Sequence, residues 1–96
     1  MLYDPTQPAA RAYIWSLMRA GYYSHGVKMF WLDAAEPEIS TGAAQAAADA
    51  YNSSLGSGQQ SGMMFPDFHV RTVYEGLKSE GETEVVPMLT RSAWAG

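Results

Sequence analysis

The chain has no cysteine, no basic run and no long apolar stretch, and each absence removes a class of explanation. Without cysteine, disulfides and thiolate metal sites are excluded within these 96 residues. Six basic residues lie scattered among ten acidic ones, for a net charge of -4, so neutralisation of nucleic-acid phosphates is not expected. No apolar run approaches the roughly 20 residues a membrane span needs, and the first residues lack the basic-then-apolar layout of a secretory signal. Histidine is sparse, His69 has no partner at ligand spacing, and nothing in the chain supplies a site for a metal or organic cofactor.

What is present is a hydrophobic share of 47%, ordinary for a globular protein. The chain ends on a turn-like stretch after Thr90 with no closing element, which favours a segment of a larger chain. One run stands out: Met29-Phe30-Trp31-Leu32-Asp33-Ala34-Ala35-Glu36-Pro37-Glu38, an apolar stretch that ends on a carboxylate and then on a second acidic pair. It reads as a buried parallel strand delivering an acid to the mouth of a pocket. Trp31 lies two residues before Asp33, so on a strand both point to the same face. A carboxylate beside an aromatic platform suits sugar chemistry.

Around this run the spacing predicts a helix, strand, loop plus helix, and strand. Ala10, Tyr13, Ile14, Leu17, Met18 and Gly21 recur at three-and-four spacing, giving a helix from about Gln7 to Ser24 with Thr6 as cap and Pro8 in the first turn. Gly21 should let its last turns fray, and Gly26 supplies a left-handed exit. Val27 to Leu32 follows as a strand apolar on both faces, as where helices cover a parallel sheet. Between residues 34 and 65 lies a stretch rich in Ala, Ser, Gly and Gln. Its Ala43–Ala50 part suits a short helix and its Ser53–Gly62 part a flexible loop; an insertion of this length next to Asp33 suggests a binding or active-site role. Asp67 is the expected cap of a second helix with the stripe Val70, Val73, Tyr74 and Leu77, ending at Gly81. Val85 to Leu89 completes the pattern as a short strand, although Pro87 costs it a ladder hydrogen bond.

Two strands joined through a helix should lie parallel, with a right-handed connection. Their carboxyl ends then open on one side of the sheet, which makes Asp33 and Arg91 neighbours.

The residues at those strand ends carry a resemblance. Trp31-Leu32-Asp33-Ala34-Ala35-Glu36-Pro37-Glu38 resembles the nucleophile motif of glycoside hydrolase family 31, and Thr90-Arg91-Ser92-Ala93-Trp94-Ala95-Gly96 resembles a second motif of that family. Met64-Phe65-Pro66 leading to Val73-Tyr74-Glu75-Gly76 resembles the family's connecting helix, and Tyr3-Asp4-Pro5 with Ala10-Arg11 the helix before the nucleophile strand. The resemblance covers nearly the whole chain. It implies an α/β fold, a partial (β/α)8 TIM barrel in which residues 1–96 form a piece of the catalytic barrel with a loop insertion around 34–65. It also implies a retaining α-glycosidase, chiefly of the α-glucosidase or α-xylosidase type, in a family that includes a few lyases.

By the same resemblance, Asp33 is the nucleophile, Glu36 a supporting acid, Arg91 a ligand of substrate hydroxyls and Trp31 a wall of the first subsite. His69, at a helix start, is the weakest candidate for substrate binding, since a lone histidine there is more often structural or a pocket wall. A retaining mechanism needs a second carboxyl group, in the family downstream of the Arg91 motif, so the remainder of the barrel is required and the isolated segment is expected to be inactive. The partner is a carbohydrate.

Each residue also has a plainer reading. An acid at a strand end can be a cap or loop anchor, Arg91 a salt-bridge partner of an acid such as Glu36, and Trp31 core. His25 suits a helix end, Trp94 packs behind Arg91, and Met63 and Met64 pack the loop onto the core. For the chain as a whole, the alternatives are a non-catalytic carbohydrate-binding remnant or a truncated gene product without activity of its own.

Overall fold

The computed structural model describes residues 3–35, 52–84 and 86–91. Helix α1 spans Pro8–Gly21, strand β1 Phe30–Leu32, strands β2 and β3 Asn52–Ser53 and Gly56–Ser57, helix α2 Gly58–Ser61, helix α3 Phe65–Ser79 and strand β4 Met88–Thr90. Single 3-10 turns at Tyr23–His25 and Gly62–Met64 precede β1 and α3.

α1 begins one residue later than expected, with Gln7 rather than Thr6 at its N-cap and no side-chain cap, while Pro8 occupies the first turn. Thr6 is diverted because its hydroxyl donates to the Asp4 carboxylate instead. The helix stops at Gly21, where glycine's backbone freedom weakens the last turn, and the chain continues through the 3-10 turn with His25 at its end. Gly26 then exits in the left-handed region at φ 94°.

β1 is half the expected length, and Val27 and Met29 lie exposed outside it. Its partner limits it: β4 pairs with β1 in parallel through Phe30↔Met88, Trp31↔Leu89 and Leu32↔Thr90 and nothing earlier. β4 itself is shifted C-terminally from the expected 85–89. Pro87 has no N–H to give the ladder, so regular pairing begins one residue after it. The parallel orientation is as expected.

The Ser53–Gly62 stretch is structured rather than a flexible loop. β2 and β3 pair antiparallel as a tight hairpin, and α2 follows at once. Short hydroxyls and amides satisfy the backbone there: Leu55 N–H donates to Ser53 Oγ at 3.1 Å, Ser57 N–H to Gln60 Oε1 at 3.3 Å, and the Ser53 and Ser61 hydroxyls pair at 2.8 Å. The Ala43–Ala50 stretch lies outside the described residues. Met63 and Met64 are exposed and do not pack onto the core.

α3 starts two residues before Asp67, with Met64 at the N-cap and Pro66 in the first turn. The 3-10 turn runs directly into it, so Asp67 is not the cap. It sits within the first turn and pairs with Arg71 Nε at 2.9 Å, four residues on. The buried face comprises Phe65, Pro66, Thr72, Val73, Gly76 and Leu77, whereas Tyr74 is exposed. The helix ends at Ser79, and Gly81 turns the chain at φ 86°.

The core forms where α1 and α3 cover one face of the β1/β4 pair. Trp15, Leu32, Ala35, Val73 and Leu77 are its buried residues, with Met18, Tyr23, Phe30, Val70, Val86 and Met88 packed against them. Trp15 meets Tyr23 and Phe30 at ring-centroid distances of 5.7 and 6.2 Å. Arg11 is the polar tie between the helices. Its Nε and Nη2 donate to the two oxygens of Glu75 at 2.8 and 3.3 Å, and Nη1 donates to the carbonyls of Pro5 and Thr6 at 2.8 and 3.2 Å. A guanidinium this deep is tolerated because its donors are matched.

Candidate active site

Side chains on a strand alternate between faces, and the pairing of β1 with β4 sorts them cleanly. Phe30, Leu32 and Met88 turn toward α1 and α3 and pack in or against the core. Trp31 and Leu89, direct partners across the ladder, lie on the other face and are 67% and 61% exposed. Asp33 and Arg91 follow two residues further on, so they inherit that same face. The Arg91 N–H continues the ladder by donating to Leu32 O at 3.2 Å.

The chemistry at this edge is an ion pair, with Arg91 Nε 3.2 Å from Asp33 Oδ1. Asp33 is thus an acid that Arg91 meets, and Glu36 lies outside the described residues. Both side chains remain about half exposed, at 46% for Arg91 and 53% for Asp33. A pair so open to solvent contributes at most about 1 kcal/mol to folding. Its arrangement has to be explained by something other than stability. Trp31, open on the same face, is not packed as core within the described residues.

A third group converges on the same oxygen. The Ala34 N–H donates to Asp33 Oδ1 at 2.9 Å. Ala34 has φ 52°, and it is the non-glycine residue with positive φ among the described residues. A left-handed alanine costs about 1–2 kcal/mol. The chain accepts this because the turn delivers the methyl of Ala35, 2% exposed, into the core beside Leu32 and Trp15.

His69 stands elsewhere. It lies on α3 with its ring stacked on Phe65 at 5.5 Å, and in the neutral Nε2–H tautomer its Nδ1 accepts the Tyr3 O–H at 2.8 Å. Burial lowers its pKa. Tyr3 also meets the Thr72 hydroxyl at 2.9 Å. Among the described residues no contact joins His69 to Asp33 or Arg91. Glu36 and Trp94 lie outside the described residues.

Sequence reasoning missed two participants. Ala34 carries no signal, because nothing in an alanine announces a left-handed backbone. Asp4 did have one in the short Asp-Pro-Thr turn. Its Oδ1 accepts the Thr6 N–H at 3.1 Å and its Oδ2 the Ser54 N–H at 2.8 Å, while the Ser54 hydroxyl lies 2.7 Å from that of Thr6. The hairpin of the insertion is thereby fastened to the turn that precedes α1. Burial alone would raise the Asp4 pKa, but the hydrogen bonds from Thr6, Ser54 and Gln7 outweigh it and hold the carboxyl below its ordinary value.

Comparison with known proteins identifies the family of the chain. A family model described as the glycosyl hydrolases family 31 TIM-barrel domain matches residues 1–96. The chain belongs to glycoside hydrolase family 31. It is 37% identical over 94 residues to an uncharacterized family 31 glucosidase of Pseudescherichia vulneris, a match that covers 98% of this chain and 17% of that protein. An alpha-xylosidase of Saccharolobus solfataricus is 33% identical over 95 residues, with 98% of this chain and 13% of the relative covered. Among solved structures, a GH31 alpha-xylosidase from a soil metagenome complexed with xylose superposes with a TM-score of 0.74 at 33% identity, covering 93% of this chain and 13% of that one. The chain thus spans less than a fifth of the length of these relatives.

Within a family 31 barrel, β1 and β4 are two of the parallel strands, and α1 and α3 belong to the outer ring of helices. The face turned away from those helices, bearing Trp31, Leu89, Asp33 and Arg91, is the interior one. Its carboxyl-terminal rim is where enzymes of this architecture carry their chemistry.

Proposed function

We propose that the protein carrying this chain is a retaining α-glycosidase acting on α-glucosides or α-xylosides. The observation that carries the proposal is the Asp33–Arg91 pair, held at the carboxyl ends of adjacent parallel strands on the interior face. Asp33 is the nucleophile. Its carboxylate gives an electron pair to the anomeric carbon as the bond from that carbon to the leaving oxygen breaks, and the pair departs with that oxygen.

Arg91 donates to substrate hydroxyls; a guanidinium has five N–H donors, and Nε faces Asp33. Trp31 supplies an apolar wall for the sugar in the first subsite. Glu36, three residues on in the sequence, is a supporting acid for the nucleophile. His69, tied to Tyr3 and Phe65 away from the ion pair, has the weakest claim on the substrate.

The leaving oxygen must receive a proton from a second carboxylic acid, about 5–5.5 Å from the nucleophile in a retaining enzyme. That group comes from the remainder of the barrel, so residues 1–96 alone are inactive. The names of the relatives, glucosidase and xylosidase, support the choice of substrates.

The test is to express the protein encoded by the complete reading frame and assay it with aryl α-glucosides and aryl α-xylosides. Turnover with retention of anomeric configuration, abolished by Asp33→Ala, is expected. A reading frame without a second strand-end carboxylate, or a protein that binds these sugars without cleaving them, replaces the enzyme with a carbohydrate-binding remnant.

A further inference from the structure

Both contacts that the described residues make to the Asp33 carboxylate fall on one oxygen, Oδ1, which meets the Ala34 N–H at 2.9 Å and Arg91 Nε at 3.2 Å. A carboxylate turns easily about its last torsion, so either oxygen can point either way unless something holds it. The Ala34 N–H donating to Oδ1, with the Arg91 charge beside the same oxygen, removes that freedom and directs Oδ2 away from them. The first donor exists because Ala34 is left-handed at φ 52°, a conformation a non-glycine residue keeps only when its surroundings impose it. Here the surroundings do so from the C-terminal side, through the burial of Ala35 against Leu32 and Trp15.

From this geometry, and resting on the reading of Asp33 as nucleophile, we infer that the main-chain amide of Ala34 is a positioning group that selects Oδ2 of Asp33 as the attacking atom. The strained turn couples the core to the reaction. Ala35 anchors it, Ala34 aims its N–H, and the carboxylate plane is set before substrate arrives, which reduces the reorganisation left to the chemical step. Arg91 stands beside Oδ1 as an ion-pair partner but answers to its own strand, so the two groups approach from different elements.

The experiment isolates the nucleophilic step by using an activated glycosyl fluoride that labels the nucleophile covalently. In that reaction Oδ2 forms the bond to the anomeric carbon and fluoride leaves with the electron pair, so no acid is needed. The complete protein is made with an ester in place of the residue-34 amide, by inserting the α-hydroxy acid analogue of alanine, which deletes one N–H and keeps the methyl group.

The labelling rate and kcat are expected to fall together by about tenfold or more, with KM and melting temperature little changed. Ala34→Gly, which adopts positive φ readily, retains labelling within about threefold, whereas Ala34→Val, β-branched and ill suited to it, loses it. An ester enzyme that labels at the parental rate overturns the inference, as do Gly and Val variants that fall equally. Turnover by Asp33→Ala overturns the nucleophile reading itself. An inactive Asp33→Ala beside a fully active ester enzyme removes this inference alone.

Discussion

Gly76 of α3 lies so close to the indole of Trp15 in α1 that a β-carbon at position 76 would overlap the ring atoms. The missing side chain is what lets the two helices approach at this point. Gly76→Ala must therefore either push Trp15 out of its place beside Tyr23 and Phe30 or part the helices. Overpacking of this kind typically costs about 1–3 kcal/mol. A corresponding fall in the denaturation midpoint of the complete protein is expected; an unchanged midpoint would mean that α1 and α3 do not pack through this residue.

Arg11 and Glu75 should contribute unequally although they form one pair. Arg11→Met removes donors from Glu75 and from two main-chain carbonyls at once, whereas Glu75→Gln keeps an acceptor and leaves those carbonyls bonded. Losses of about 2–4 kcal/mol for the first and about 1 kcal/mol for the second are expected. Chemical denaturation of both variants checks the order, which is reversed if the carbonyl contacts contribute nothing.

Stability should also fall in acid in two separable steps. His69 is held below its ordinary value of 6.5 by burial, so it contributes stability that is complete above that pH and drains away as pH drops through its folded value. Asp4 has its carboxyl lowered too, against burial, by its hydrogen bonds. Its contribution is complete above the ordinary 3.8 and disappears further down. Melting temperature followed against pH should show His69→Gln flattening the upper step and Asp4→Asn the lower one. Profiles that coincide with the parent would remove both assignments.

Arg91→Lys separates activity from folding. The pair is half exposed, so melting should change by no more than the equivalent of about 1 kcal/mol. A lysine carries one compact charge where arginine presents a planar fork, so kcat/KM toward aryl α-glycosides should drop at least about tenfold. Loss of melting temperature without loss of kcat/KM would mark Arg91 as structural.

The parts of this fold that depend on side-chain pattern were legible in the chain itself. The alternation through Trp31 and Asp33, the helix that returns the chain, and the parallel order that sets Asp33 beside Arg91 follow from spacing and connectivity. What escaped depends on partners distant in sequence. β1 is short because β4 begins only after Pro87, and Thr6 gives up the N-cap of α1 because Asp4 claims its hydroxyl. The Ser-rich stretch is ordered because its hydroxyls close on one another and Asp4 receives the Ser54 N–H. Ala34 lies beyond pattern altogether, since its conformation is imposed by the burial of its neighbour Ala35.

The ladder that pairs Trp31 with Leu89 has a further consequence, best put as parity. Each strand brings its strand-end charged residue to the interior by counting two from its partner in that pair, to Asp33 on one side and Arg91 on the other. Deleting one residue between Glu82 and Pro87 could be absorbed by sliding β4 along β1, with every main-chain hydrogen bond remade. The slide would nevertheless bring odd positions where even ones had been and turn the guanidinium toward the helices. A change of two residues would preserve the face but miss the height. In this segment an indel can spare the fold and still erase the chemistry, because hydrogen bonds recur at every step while side chains recur only at every second one.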